Sequence, residues 1–215
     1  MMRAAVRSDE ETWLSWSVSR SRTPDGDEDP LRTLAMTQNI TLDGSIEMID
    51  SWFEPETQPA EEMSDWLEEV RRQDADADAM LLGRQTFEDF RGYWPQQTDD
   101  TSGITAYLNR VEKYVVSSTL TEPRWEHTTV LSGDPVAEVR ELKEQPGGDI
   151  VLTGSITLAH AMIEAGLVDE YRLFTYPAVQ GRGRRLFPDG FHLERLQLTR
   201  SVAFRSGVTL STYAV

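Results

Sequence analysis

The 215-residue chain carries 37 Asp and Glu against 21 Lys and Arg, a net charge of −16, with no cysteine and three scattered histidines, His127, His160 and His192. These counts exclude disulfides, thiolate metal sites and cysteine nucleophiles, speak against a histidine metal cluster or a Ser-His-Asp triad, and make nucleic acid a poor partner. The 39% hydrophobic fraction suits one core, while apolar runs such as 79–82 and 150–152 are far too short to span a bilayer.

Residues 1–30 read as a polar N-terminal extension with Pro24, Gly26 and a closing acidic run, although Trp13 and Trp16 suit a packed segment better. Residues 1–10 are polar and acidic rather than basic then apolar, so no signal peptide is expected and the cytoplasm is the expected compartment. The folded domain is expected over 31–215. Residues 31–38 form a first strand, followed by a loop with the Asp43-Gly44 turn signal. A helix over 60–73 follows Pro59 and puts Met63, Trp66, Leu67 and Val70 on one face. Residues 79–82 are a short buried strand and 86–90 a brief helix that ends before Gly92 and Pro95. Strands follow at 113–117 and 128–131. Asp134 caps a helix opened by Pro135, with Val136, Val139 and Leu142 inward and Gly147-Gly148 as its end. Residues 149–153 are a strand, 155–165 a helix and 170–179 a strand. Residues 193–204 and 208–215 form an antiparallel hairpin around Ser206-Gly207. Such an order predicts an α/β fold: a mixed, mainly parallel central sheet, helices on both faces, and a C-terminal antiparallel hairpin.

Three strand ends carry the same chemistry. Strand 150–152 runs into Thr153-Gly154-Ser155 and at once into a helix with Ile156, Ala159 and Ile163 on one face. That turn can aim unpaired helix-start amides at a phosphate, or it can be a plain connection with a serine cap. Strand 79–82 meets Gly83 and a helix beginning with Arg84 and Thr86, where a guanidinium joins helix-start amides. Strand 113–117 ends in Ser117 and Ser118. Together they point to an extended polyphosphate ligand, hence a dinucleotide, although no GxGxxG fingerprint is present.

The segments MTQNITLDG (36–44), LLGRQTF (81–87), YWP (93–95), YVVSSTL (114–120), LTGSIT (152–157), GLVDEY (166–171) and PAVQGRGRRLF (177–187) resemble, in order, motifs of one family. It is the dihydrofolate-reductase-like group, in the branch similar to the reductase domain of bifunctional riboflavin-biosynthesis deaminase–reductases. The resemblance covers roughly 31–215 and implies a dihydrofolate-reductase-like three-layer fold with NADPH as cofactor. It places Gly83, Arg84 and Thr86 at the phosphates, Ser117 and Ser118 at the adenosine 2′-phosphate, and Gly154, Ser155, Ile156 and Thr157 at the pyrophosphate. Asn39, Asp43 and Gly44 would line the nicotinamide and substrate end.

The implied activity is hydride transfer to a small heterocyclic or ribose-phosphate-type substrate, as in 5-amino-6-(5-phosphoribosylamino)uracil reduction. Dihydrofolate reduction and a non-catalytic nucleotide-binding module are the alternatives. Glu62, four residues before Trp66, is the counterpart of the helix carboxylate of dihydrofolate reductases, and Asp43 is a second candidate catalytic carboxylate. Trp52, Phe53, Tyr93 and Trp94 are candidates to wall a pocket for a planar ring. Arg182 and Arg184, with Arg185, form the one dense cationic cluster, suited either to a substrate phosphate or to surface acids. No zinc-ligand pattern of a fused deaminase is present. Stand-alone relatives commonly pair, which suggests a homodimer through the edge hairpin. Lysine occurs only at Lys113 and Lys143, and this acidic, lysine-poor composition is that of proteins from salt-accumulating (halophilic) microbes.

Overall fold

The computed structural model describes residues 31–49, 51–53 and 60–215; the expected extension, with Trp13 and Trp16, lies outside the described residues. The strands are β1 (Leu34–Thr41), β2 (Ala77–Gly83), β3 (Glu112–Val116), β4 (Thr128–Leu131), β5 (Asp149–Thr153), β6 (Glu170–Tyr176), β7 (Gln197–Ala203) and β8 (Thr209–Ala214). The helices are α1 (Ala60–Asp76), α2 (Arg84–Tyr93), α3 (Ile104–Arg110), α4 (Pro135–Lys143) and α5 (Ile156–Glu164). One eight-stranded sheet runs in the order β4-β3-β2-β5-β1-β6-β8-β7. Every neighbouring pair from β4 to β6 is parallel, and the pairs β6–β8 and β8–β7 are antiparallel.

Strand alternation explains the layers. In β2, Ala79 and Leu81 pack with Val139, Leu142, Ala159 and Met162 of α4 and α5. Met80 and Leu82 point the other way, into a cluster with Phe87 of α2 and Tyr107 and Leu108 of α3. All four β2 residues are buried, as a central parallel strand covered on both faces requires. A third cluster seats Met63 and Trp66 of α1 on Phe174 and Tyr176 of β6 and Leu210 of β8.

Several boundaries differ from expectation, each for a visible reason. The first strand starts later and runs through Thr41, because its pairing partners are Ile150–Thr153 on one side and Glu170–Tyr176 on the other. The helix expected over 86–90 spans Arg84–Tyr93: Gly92 sits in open space, and Pro95 falls in the first turn of a 3-10 segment (Trp94–Gln96), where its missing N–H is no loss. Helix α3 had no counterpart in the sequence reading. Asp100 starts it by accepting from Ser102 N (2.7 Å) and Thr105 N (2.8 Å), and Lys113 ends it by donating to Leu108 O (2.8 Å) and Val111 O (2.7 Å). Asp134 caps α4 as expected, accepting from Ala137 N at 2.8 Å. That helix ends at Lys143, ahead of Gly147-Gly148, and β6 stops at Tyr176 before Pro177.

Candidate active site

A cavity of about 760 Å³ crosses the carboxyl ends of the central strands. Its walls come from Val116 at the end of β3, Gly83 and the first turn of α2, Thr153–Thr157 at the β5–α5 junction, and Gln38 and Asn39 of β1. Beyond β1 it continues to Ile46, Glu47, Met48, Phe53 and Arg184, with Phe90 and Trp94 also lining it. The cavity therefore spans three inter-strand steps, about 14 Å at ~4.8 Å each, before it reaches this apolar end.

The turn at its centre is built by two successive left-handed residues, Gly154 (φ +54°) and Ser155 (φ +48°). Ser155 does not cap its own helix. Its hydroxyl accepts from Gly83 N at 2.9 Å, its amide donates to the Thr86 hydroxyl at 3.0 Å, and the Gln38 side-chain amide donates to Gly154 O at 2.9 Å. These bonds stitch the ends of β1, β2 and β5 together. The first helical bond of α5 runs from Ala159 N to Ser155 O (2.9 Å), so the amides of Ile156, Thr157 and Leu158 have no helical acceptor. Arg84, exposed at the first turn of α2, makes no salt bridge among the described residues. Free amides and a free guanidinium on one wall are the donor set an anionic phosphate needs.

Of the residues expected at the site, Asn39, Phe53, Gly83, Arg84, Thr86, Gly154, Ser155, Ile156, Thr157, Trp94 and Arg184 line the cavity. The others do not. Asp43 is a staple: its carboxylate accepts from the Thr41 hydroxyl (2.6 Å) and the amides of Gln180 (3.1 Å) and Gly181 (2.7 Å). Those bonds hold it down at about 2, so it is ionised and occupied rather than poised to donate a proton. Gly44 (φ +86°) completes the same turn, over which the Arg185 guanidinium donates to Asp43 O. Glu62 is exposed on α1 and off the cavity. Ser117 turns its hydroxyl to the amides of Thr119 (3.2 Å) and Leu120 (3.0 Å), leaving Val116 as that strand's wall residue and Ser118 exposed beside it. Trp52 packs edge-on against Phe53 and Tyr176, and Arg182 lies outside the lining.

Sequence reasoning missed Gln38, Glu47, Asp89 and Phe90 as cavity residues, and of the adjacent pair it named, Trp52 and Phe53, only Phe53 lines the cavity. Gln38 is nearly fully buried in β1, and only its long-range bond to Gly154 marks it. Glu47 is marked by Arg184, whose backbone amide (3.0 Å), Nε (3.0 Å) and Nη2 (2.8 Å) all reach its carboxylate. A second crevice, about 460 Å³, lies at the amino ends of the strands. There Arg72, Arg172 and Arg200 face Asp76, Asp149 and Glu170, so its charges cancel.

A mixed α/β sheet whose helix starts converge on a cavity at the strand carboxyl ends, closed by an antiparallel C-terminal hairpin, defines a dihydrofolate-reductase-like domain. The chain belongs to the RibD C-terminal domain family, which it matches over residues 32–210. It is similar to the uncharacterized protein YyaP of Bacillus subtilis, 32% identical over 188 residues covering 85% of this chain and 94% of that one. YwjB, also uncharacterized and from the same organism, is 26% identical over 78% of this chain and 86% of its own. Among solved structures, a pyrimidine reductase-like protein of Corynebacterium diphtheriae superposes with a TM-score of 0.59 at 17% identity, covering 86% and 92% of the two chains. The diaminohydroxyphosphoribosylaminopyrimidine deaminase/5-amino-6-(5-phosphoribosylamino)uracil reductase of Thermotoga maritima gives 0.57 at 16% identity, over 86% of this chain and 56% of that one. No helix among the described residues is long and apolar enough to cross a membrane, and no group of His, Asp and Glu among them could hold a metal ion.

Proposed function

We propose that the protein is an NADPH-dependent reductase of a small planar heterocycle, in the manner of the aminouracil reductases of its family. One observation carries the reading: unpaired α5 amides and the unpaired Arg84 guanidinium share a wall of a cavity that continues into an apolar end. Bound NADPH would supply the hydride. The chain's own part is to hold its phosphates through the amides of Ile156, Thr157 and Leu158 and through Arg84. Gln38 and the Ser155–Thr86–Gly83 bonds keep that seat rigid, so little ordering cost remains at binding. Ile46, Met48, Phe53, Phe90 and Trp94 exclude water where the acceptor ring is placed.

Residues 117–119 bring no carboxylate to the β3 end of the cavity, whereas a site for NADH usually presents an acid to the ribose hydroxyls, and Arg84 offers a cation there instead. NADPH should therefore bind more tightly than NADH, by about 1–3 kcal/mol. Arg84→Ala should erode that preference, weakening NADPH more than NADH, whose binding stays closer to its starting level. Fluorescence titration, exciting the tryptophans and following transfer to the reduced nicotinamide, measures both. Equal affinities for the two nucleotides would remove the NADPH assignment, and binding of neither would remove the reductase reading.

A further inference from the structure

At the acceptor end of the cavity two charged side chains, Glu47 and Arg184, neutralise each other. Glu47 and Arg184 face across a pair of segments zippered by backbone bonds: Ile46 N donates to Arg184 O at 3.0 Å, and Ser45 and Arg185 form an antiparallel bridge. Gln180 adds its side-chain amide to Glu47 O (2.9 Å) and to the Ser45 hydroxyl (2.8 Å). The carboxylate is gripped twice over. One oxygen accepts from the Arg184 backbone amide and the other from its guanidinium, and these contacts hold its pKa below the usual carboxylate range. If the half-exposed Arg184 side chain swung away, the backbone amide would still keep the carboxylate in place. Among the described lining residues the other cation is Arg84, which stands at the start of α2, on the wall it shares with the free amides of α5.

We propose that Glu47 is a specificity residue: by occupying Arg184 and presenting a fixed negative charge, it makes the acceptor end accept an uncharged planar ring and exclude a terminal phosphate. The surrounding side chains agree, since Ile46, Met48 and Phe53 offer apolar area and no hydrogen-bond donor. A phosphorylated acceptor would have to break the two guanidinium contacts of the pair and then sit beside a carboxylate that the Arg184 backbone amide still holds, at a cost in both steps. The inference deepens the reductase reading, setting the acceptor apart from the phosphoribosyl substrate named for the Thermotoga maritima protein, and rests on that reading only for what occupies the rest of the cavity.

The test titrates ribose and ribose 5-phosphate, a pair differing only in the phosphate, into the NADPH-saturated protein at fixed salt, followed by calorimetry. Wild type should bind ribose 5-phosphate no better than ribose. Glu47→Gln keeps an oxygen for the Arg184 amide while freeing the guanidinium. It should tighten ribose 5-phosphate by about tenfold and leave ribose unchanged. Glu47→Ala should give the same selective gain, and adding Arg184→Gln to either variant should abolish it. A wild-type preference for the phosphate, no gain in the Glu47 variants, or a gain that survives Arg184→Gln overturns the proposal. A purely structural role for Glu47 would weaken both sugars together. If NADPH itself fails to bind, the reductase reading falls, while the same titrations on the free protein still decide the role of Glu47.

Discussion

Gly154 is where one side chain would do the most damage. Its φ of +54° is costly for any L residue, and a Cβ there would stand 3.1 Å from the Thr86 methyl, whose hydroxyl already holds the Ser155 amide. Gly154→Val should lower stability by about 1–3 kcal/mol and weaken NADPH and NADH alike, because the strand-end stitching is displaced with the phosphate seat. Gly154→Ala should do the same in smaller measure. Melting curves together with the fluorescence titration check both effects, and a Val variant with unchanged affinity would show that the turn does not face the cofactor. Gly154 was legible from sequence because its signal is local: an apolar run, a glycine and a helix start. Asp43 and Glu47 were not, since their partners, Gln180, Gly181 and Arg184, lie more than a hundred residues further along the chain. A carboxylate in a motif loop reads as available chemistry until the loop that consumes it is known.

At the scale of elements, α1 and α3 meet around an uncomfortable acid. Asp74 is mostly buried near the Tyr107 hydroxyl, which has no hydrogen-bond partner among the described residues, and desolvation pushes the Asp74 pKa up to about 6 despite the nearby Arg110 charge. Because the folded value lies above the ordinary 3.8, the folded state binds more protons than the unfolded one between the two. The stability this group contributes is full below about 3.8 and lost as pH rises through about 6. Asp74→Asn should therefore stabilise the protein at pH 8 by about 1–3 kcal/mol, with the gain shrinking toward pH 4. Melting temperatures of the pair across that range check it, and a constant difference would point to a cause other than ionisation. The same region shows why α3 escaped the sequence reading: seven residues give little periodicity, and both ends are fixed by groups outside the helix, Asp100 before it and Lys113 after it. Longer elements with caps inside their own segment, such as α4 with Asp134, were read directly.

For the whole molecule, two expectations from the sequence remain open to measurement, one from its composition and one from its edge hairpin. A net charge of −16 should make folding sensitive to screening, so melting temperatures should rise by several degrees from dilute buffer to molar KCl. A flat or falling trend would remove the halophilic reading. The outer strand β7 leaves all but one of its seven residues exposed, with Leu198 53% exposed, and its outer edge has no neighbour among the described residues. A second copy is the expected cover, and light scattering in high salt should return twice the 24.4 kDa chain mass. A monomer mass would leave β7 as a solvated edge.

The sheet order also sets the timetable on which the fold can be completed. Strand β5 alone joins the β2-β3-β4 half to the half made of β1, β6, β8 and β7, and Leu34 must wait for Ile150 before β1 gains its inner neighbour. Such long-range parallel pairing makes for slow assembly, since the intervening chain must be ordered before the contacts reward it. The proposed phosphate seat lies at the end of that same strand. It therefore cannot exist in a half-assembled chain, and nucleotide affinity would emerge in refolding as a late event that reports the joining of the two halves.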